Sequence, residues 1–288
     1  MMQICLKTTS RITQAVALIV CITFLTNCSS LQIFYFISEE YILERAEDYL
    51  TLTDKQRSDA KKQVSALIQW HRKNMLPKYA DFFLEQANTT DKKLWSKSSF
   101  ELEFEKLRKL FNVTVEGSAP FIAELFVDQL SPTQINHLEA RLRENQIKRR
   151  SELLKQDLND RVERRAKNIS RLTGPLNEEQ LSIVQSYTEK DRNHTARWVQ
   201  NREERQKALV RFLRTKPKTS EIARFTYRIL VKAHEITDPE YKAISEQRWK
   251  NIKTMYFKLS TSLTPSQRKQ LSSNLRDYAS EMIRLSKS

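Results

Sequence analysis

The chain has 288 residues, of which 30% are charged and 39% are hydrophobic, and its formal net charge at pH 7 is +15. This composition indicates a globular protein and excludes an intrinsically disordered one. Two glycines and seven prolines are too few for tight β-hairpins or a Gly-rich phosphate-binding loop, so we expect an all-α fold.

The N-terminus has the layout of a secretory signal. The first eleven residues contain basic but no acidic side chains, and residues 15–25 are almost entirely apolar but too short to span a bilayer comfortably. The stretch FLTNC resembles a bacterial lipobox with Cys28 as the lipidated cysteine. We therefore predict a signal peptide over 1–27 and a mature domain over 28–288. An uncleaved signal anchor is the alternative, since Asn27 stands where lipoproteins usually carry Gly, Ala or Ser.

The use of cysteine fits this prediction. Cys5 and Cys21 would leave with the signal and Cys28 would be modified, which excludes disulfides and cysteine metal sites from the mature domain. By similarity to other bacterial lipoproteins, Ser29 predicts sorting to the outer membrane, with the domain facing the periplasm.

The first half of the mature chain predicts short helices. A helix after residue 31 has four inward positions, Tyr41, Leu43, Ala46 and Leu50. The next begins at Thr53 and ends or kinks at Pro77. We expect a polar loop over 88–99, then a helix over 99–111, which the glycine and proline in residues 117–120 bring to a close.

The middle of the chain predicts longer elements. From Pro132 to Leu172 there is no proline or glycine, so one helix on the order of 60 Å is expected. Gly174 and Pro175 end it, and a second long helix covers about 177–214. We expect these two to form a long antiparallel helical hairpin. Three additional packed helices follow over 219–235, 239–261 and 264–285.

One motif occurs four times: Leu, a small polar residue, two spacers and Gln. The copies are LTDKQ, LSPTQ, LNEEQ and LTPSQ, which begin at residues 52, 130, 176 and 263. The polar residue can accept from the first turn while Gln reaches back to its N–H, so each copy is a predicted capping box that contributes roughly 1 kcal/mol. The second and fourth copies continue alike, with leucines at 138, 142, 271 and 275. This predicts two related halves, 50–174 and 175–288.

The positive charge is concentrated in two segments. Residues 141–171 hold eleven Lys or Arg against five acids, and residues 197–218 hold eight against two. Such a field favours anionic partners. The predicted binding residues are Arg149, Arg164, Lys167, Arg171, Arg205 and Arg211, the first four of which fall within about 60° on a regular helix. A solvated helix face without a partner is the alternative.

The export signal and the absence of any nucleic-acid motif argue against nucleic acid, so anionic lipid, lipopolysaccharide or acidic protein segments are the expected partners. The four histidines stand far apart, and none belongs to an HExxH pair. There is no GxSxG motif and no phosphate-binding loop. We therefore predict no catalytic residue, no metal and no cofactor, and a protein that is not an enzyme.

From Cys28 through YLTLTDKQ, WHRKNMLPKYA, LSPTQINHLEARL and LTGPLNEEQ to its C-terminus, the chain resembles a family of bacterial lipoproteins classed only as a domain of unknown function. The L-[ST]-x-x-Q element is also similar to the Spy and CpxP periplasmic stress proteins, which are all-helical. That similarity implies ATP-independent client binding on a basic, concave helical surface.

Two functions follow as hypotheses. The first is a lipid-anchored cell-envelope binding protein, chaperone-like or adaptor-like, that uses the basic helical surface. The second is a structural envelope component that bridges the outer membrane to peptidoglycan or to an assembly partner.

Overall fold

The computed structural model describes residues 30–93, 95–126 and 130–288, and the regular elements in these ranges are helices without a strand. The all-α prediction is confirmed, while the predicted signal peptide and Cys28 lie outside the described residues. The α-helices are α1 Ser30–Leu50, α2 Asp54–Asn74, α3 Leu76–Lys92, α4 Lys97–Glu124, α5 Pro132–Lys155, α6 Leu158–Thr173, α7 Glu178–Lys190, α8 His194–Arg214, α9 Thr219–Val231, α10 Glu240–Ser262 and α11 Pro265–Lys287. A 3-10 turn, Ala233–Glu235, separates α9 from α10.

Each of the four repeated motifs starts a helix. Thr53, Ser131, Asn177 and Thr264 each accept a bond from the backbone N–H of the motif's Gln, and the Gln side chain accepts from the backbone N–H of the cap. The predicted capping boxes are therefore confirmed. They satisfy N–H groups that the first turn of a helix otherwise leaves without partners.

The single long helix predicted from 132 to 172 is wrong. The chain leaves the helical conformation at Gln156, whose ψ is 121°, and resumes it at α6. Asp157 causes the restart because its side chain accepts from the backbone N–H of Asp160 at 2.8 Å, a local bond that competes with helix continuation. The second long helix is likewise divided, into α7 and α8, at residues 191–193.

Two boundaries in the first half also differ from expectation. The predicted polar loop over 88–99 is mostly helical, since α3 continues to Lys92 and α4 begins at Lys97. Gly117 and Pro120 lie inside α4 instead of ending it. The glycine has a packing role there, because a Cβ at this position would overlap the indole ring of Trp70 on α2.

The divided middle helices pack as antiparallel partners. At one end Arg214 on α8 pairs with Glu139 on α5 at 2.6 Å. Further along, Gln146 donates to the backbone oxygen of Val199 at 2.9 Å. Helix α6 then lies against α7, with a buried core that contains Ala166, Ile169, Val184, Tyr187, Met255 and Leu259.

The two predicted halves interlock. The last helix, α11, packs along α3 and also contacts α2 and α6, while α9 packs on α4. Arg276 on α11 pairs with Asp91 on α3 at 2.7 Å, and Arg72 on α2 donates to the backbone oxygen of Leu285 at 3.0 Å. The descent of the halves from a duplication stays a prediction, but they do not form separate bodies. None of the described helices has both the length and the apolar character needed to cross a membrane.

Candidate functional site

Three of the predicted binding residues share one exposed face of α6. Arg164, Lys167 and Arg171 are exposed and are spaced by three, four and seven positions, which places them on one side of the helix. Arg171 reaches Asn168 Oδ1 at 3.5 Å. In the described part of the chain, no carboxylate lies within ion-pair distance of any of the three cations. We call these three residues the α6 basic face.

The packing of α6 explains why this face is free. Val162, Ala166 and Ile169 lie on the opposite side of the helix and pack into the core with α7 and α10. Burial of that apolar stripe fixes the rotation of α6 and turns the basic residues to solvent.

The other three predicted residues are not brought together with this face. Arg149 is exposed on α5, before the break at Gln156, so its position relative to the α6 basic face is not set by a single helix. Arg211 is exposed near the end of α8. Arg205 is half-buried near Tyr241, and its Nε makes no hydrogen bond among the described residues. Burial lowers the pKa of this guanidinium.

A second basic cluster, absent from the sequence prediction, lies inside the fold. Arg165 Nη2 and Arg248 Nε stand 3.4 and 4.0 Å from Asp191 Oδ2, and Asn251 donates to Oδ1 at 3.1 Å. Arg161 Nη2 donates to the Asp191 backbone oxygen at 3.2 Å. The Asp191 side chain is only 4% exposed. One buried carboxylate is thus surrounded by three cations, and we call this the Asp191 cluster.

The Asp191 cluster holds the turn between α7 and α8. Its arginines approach the end of α7, where the helix dipole favours positive charge. Burial lowers the pKa of Arg161 and Arg248, and repulsion from Arg165 acts in the same direction. Part of the Asp191 cluster could have been inferred from the sequence, because Arg161 and Arg165 flank the apolar stripe of α6. The approach of α10 could not be inferred from spacing, because Arg248 lies far along the chain.

Two adjoining apolar spaces, each partly open to solvent, lie between α4 and α10. The inner chamber has a volume of about 400 Å³, is also bounded by α3, α6 and α11, and has buried wall residues such as Leu259 and Leu275. The outer groove has a volume of about 780 Å³ and is lined by more exposed residues of α4 and α10. The two share three lining residues, Phe100, Phe104 and Leu107. The helical spacing of Phe100, Phe104 and Leu107 on α4 is typical of a core face, but part of that face lines a cavity.

The model of the Family of unknown function (DUF6279) matches residues 48–242 of the chain. The chain belongs to this family. The expected resemblance to a family of unknown function is therefore confirmed, and the matched region includes the α6 basic face and most of the Asp191 cluster. No curated protein and no solved structure shows a significant match to the chain.

The described surface of this family member offers a partner both positive charge and apolar contact. Over the described ranges, no group of three or more His, Cys, Asp or Glu side chains is arranged to hold a metal ion. The exposed cations of α6 can attract an anion from solution, whereas the arginines of the Asp191 cluster are already engaged with buried acceptors. The α6 basic face is therefore the charged site best placed to meet a partner.

Proposed function

We propose that the protein is a lipid-anchored binding protein of the cell envelope that engages an anionic partner or client through the α6 basic face. The observation that carries the proposal is the absence, within the described residues, of any carboxylate partner for Arg164, Lys167 or Arg171. A single surface cation loses little stability when it has no ion-pair partner. Three unpaired cations on one helix face, in a chain of high positive charge, create a field that raises encounter rates with anions.

The first helix supports membrane attachment. Four large apolar side chains near the start of α1, Ile33, Phe34, Phe36 and Ile37, are each more than half exposed, and Phe36 is 89% exposed. No charged residue occurs between Ser30 and Ser38. Tyr41, which was expected to dock on the core, is also exposed. An exposed apolar patch of this kind marks an interaction surface, and an amphipathic aromatic face suits the membrane interface.

The position of this patch favours a lipid surface. It begins at Ile33, five residues after Cys28, the predicted lipidation site. A single acyl chain gives only marginal, reversible membrane binding, and stable attachment takes a second signal. The exposed face of α1 would supply that second signal and hold the body of the protein close to the bilayer.

The proposed partner surface is tested by charge reversal. The triple variant Arg164→Glu, Lys167→Glu, Arg171→Glu is compared with a control, Lys61→Glu, Lys242→Glu, Lys269→Glu, which makes the same change in net charge at exposed sites elsewhere. The readout is suppression of aggregation of an unfolding acidic client by the full chain, at low and at physiological salt.

We expect suppression by the wild type and the control that weakens as salt rises, and its loss in the triple variant. Circular dichroism checks that helicity is kept in both variants. Equal loss in both variants would contradict the assignment to the α6 basic face, because only total charge would then matter. No suppression by the wild type at either salt would favour a dedicated envelope partner, to be sought by crosslinking.

A further inference from the structure

The inner chamber offers a ligand mainly hydrocarbon contact. Most of its polar side chains are already bonded within the protein, although the buried Nε1–H of Trp95 has no partner among the described residues. Gln86 donates to Glu103 at 2.6 Å, Thr90 to the Gln86 backbone oxygen at 2.7 Å, and Ser260 to the Phe257 backbone oxygen at 2.7 Å. A peptide or sugar placed there would lose most of its hydrogen bonds to water without replacement.

The size of the chamber fits a ligand of limited bulk. A volume of about 400 Å³ lies near the lower end of the roughly 300–1,000 Å³ range of small-molecule sites. Aromatic and aliphatic side chains supply the walls, among them Phe82, Phe100, Phe104, Leu172, Leu259 and Leu275. These walls suit one flexible apolar chain.

The outer groove adjoins the inner chamber and has more exposed apolar side chains. Leu107, Phe111 and Trp249 line it and are each more than 40% exposed (43%, 55% and 44%). Solvent therefore meets large apolar side chains along a groove that shares part of its lining with the chamber. Such exposure is unusual for a surface without a ligand or partner.

The rim of the groove carries both signs of charge. Its basic residues are Lys97, Arg108, Lys250 and Lys253, and its acidic residues are Glu101, Glu105 and Glu246. Lys253 and Glu105 pair at 3.6 Å. A purely anionic head group would meet three carboxylates at this rim. A head group with one negative and one positive charge finds an opposite charge for each.

We propose that the protein binds a single-chain zwitterionic phospholipid, with the acyl chain in the inner chamber and the head group at the rim of the outer groove. The phosphate faces the lysines and the arginine, and the ammonium faces the glutamates. None of the three cations of the α6 basic face lines either space, so the lipid site can be tested independently of the proposed function.

The test uses the full chain in liposomes that contain a trace of monoacyl phosphoethanolamine with a diazirine in its acyl chain. After photolysis, the labelled peptides are identified by mass spectrometry. Two variants, Ser260→Trp and Leu271→Trp, place a large side chain in the inner chamber. Ile147→Trp adds the same side chain at an exposed site that does not line either space and serves as the control.

We expect labelling of α4 and α10 in the wild type and the control, and a fall of about tenfold in the blocking variants, which corresponds to about 1.4 kcal/mol of binding. Label confined to α1 would overturn the proposal, since it would report only contact with the bilayer. Labelling of α4 and α10 that persists in both blocking variants would overturn it too. If a blocking variant fails to fold, the labelled peptides of the wild type still show whether the acyl chain contacts α4 and α10.

Competition tests the head group. Excess unlabelled monoacyl phosphoethanolamine should displace the probe at lower concentration than palmitate or monoacyl phosphoglycerol, which are anionic. Equal competition by all three would show that the rim does not select a zwitterion and would contradict that part of the proposal.

Discussion

Gln180 and Gln267 donate to each other: Nε2 of Gln180 lies 2.8 Å from Oε1 of Gln267, and the return bond measures 2.9 Å. Each amide also donates to a backbone oxygen that lies two residues before the cap of the other's helix. Gln180 bonds the Ser262 backbone oxygen at 3.0 Å and Gln267 bonds the Pro175 backbone oxygen at 2.6 Å. The third and fourth copies of the repeated motif thus join two helix starts.

The first and second copies also meet through their glutamines. Gln134 Nε2 donates to Gln56 Oε1 at 2.8 Å and to the Thr51 backbone oxygen at 3.2 Å. Thr51 stands two residues before the cap Thr53, the same offset that Pro175 has from its own cap. The motif therefore has two structural roles, as a capping box and as a lock between paired loops, and its repetition requires no chemical function.

The Gln180–Gln267 pair should contribute more stability than its caps alone. Gln180→Ala leaves the Ser262 carbonyl and part of the Gln267 amide without partners, and we expect a loss of about 2–4 kcal/mol in the free energy of unfolding. Thr264→Ala removes only a cap bond and should cost about 1 kcal/mol. Denaturant titration measures both.

Coupling distinguishes a lock from two separate caps. In a double-mutant cycle, Gln180→Ala and Gln267→Ala together should cost less than the sum of the single changes, with an interaction energy of roughly 1 kcal/mol or more. Strict additivity would show that the two amides act independently, contrary to the observed bonds.

Gly117 should tolerate no side chain. The indole ring of Trp70 occupies the space that a Cβ would need, so Gly117→Ala forces α2 and α4 apart. Overpacking typically costs about 1–3 kcal/mol, against a gain of up to about 1 kcal/mol from helix propensity. We expect a net loss in thermal unfolding. Trp70→Leu in the same background should recover stability, and the absence of any recovery would contradict this explanation.

The sequence allowed the helical fold and the helix starts to be predicted because both depend on local chemistry. Each capping box lies within four residues, and the end of α2 before Pro77 is a local rule as well. The break at Gln156 was missed because Asp157 caps a helix without any proline or glycine to announce it. The continuation of α4 through Gly117 was missed because the reason is Trp70, which belongs to another helix.

The candidate sites likewise differ in whether they depend on local spacing or on contacts between helices. The α6 basic face was predicted because its residues follow helical spacing and lie opposite an apolar stripe. The Asp191 cluster and the two apolar spaces depend on how α10 packs against α4, α6 and α7. Nothing in the spacing of residues specifies that packing, so sequence reasoning could not assemble them.

Asp191 should be the residue on which the α7–α8 turn depends. Asp191→Asn removes the buried carboxylate from between Arg165 and Arg248, and loss of one partner from a buried ionic group typically costs about 3–5 kcal/mol. Because both arginines remain partly solvated, we expect roughly 2–3 kcal/mol from denaturant titration. Added sulfate should restore part of this loss in the variant.

A matched control exists in Asp238→Asn. Asp238 pairs with Arg197 at 2.9 Å but is more exposed than Asp191, so its loss should cost about 0–1 kcal/mol. Equal costs for the two variants would mean that burial of Asp191 among three arginines has no energetic weight.

Stability should fall in mild acid because of His194. Burial lowers the pKa of this imidazole from 6.5 to about 4, and repulsion from Arg248 and Arg161 adds to the effect against attraction from Asp191. Tyr241 bonds its Nε2 at 3.2 Å. Between pH 6.5 and 4 the unfolded chain therefore binds a proton that the folded chain does not. The contribution of the neutral His194 to the free energy of unfolding is therefore fully present above pH 6.5 and declines as the pH falls toward 4.

The variant His194→Gln isolates this contribution. It should flatten the fall in unfolding free energy between pH 6.5 and 4 by on the order of 2 kcal/mol. His71, whose pKa is also lowered by burial, contributes equally to both proteins and cancels in the difference. Measurement at pH 8, where the imidazole is neutral in both states, gives the cost of the lost Tyr241 bond alone. Parallel curves for wild type and variant across the whole range would show that His194 is not the group that titrates.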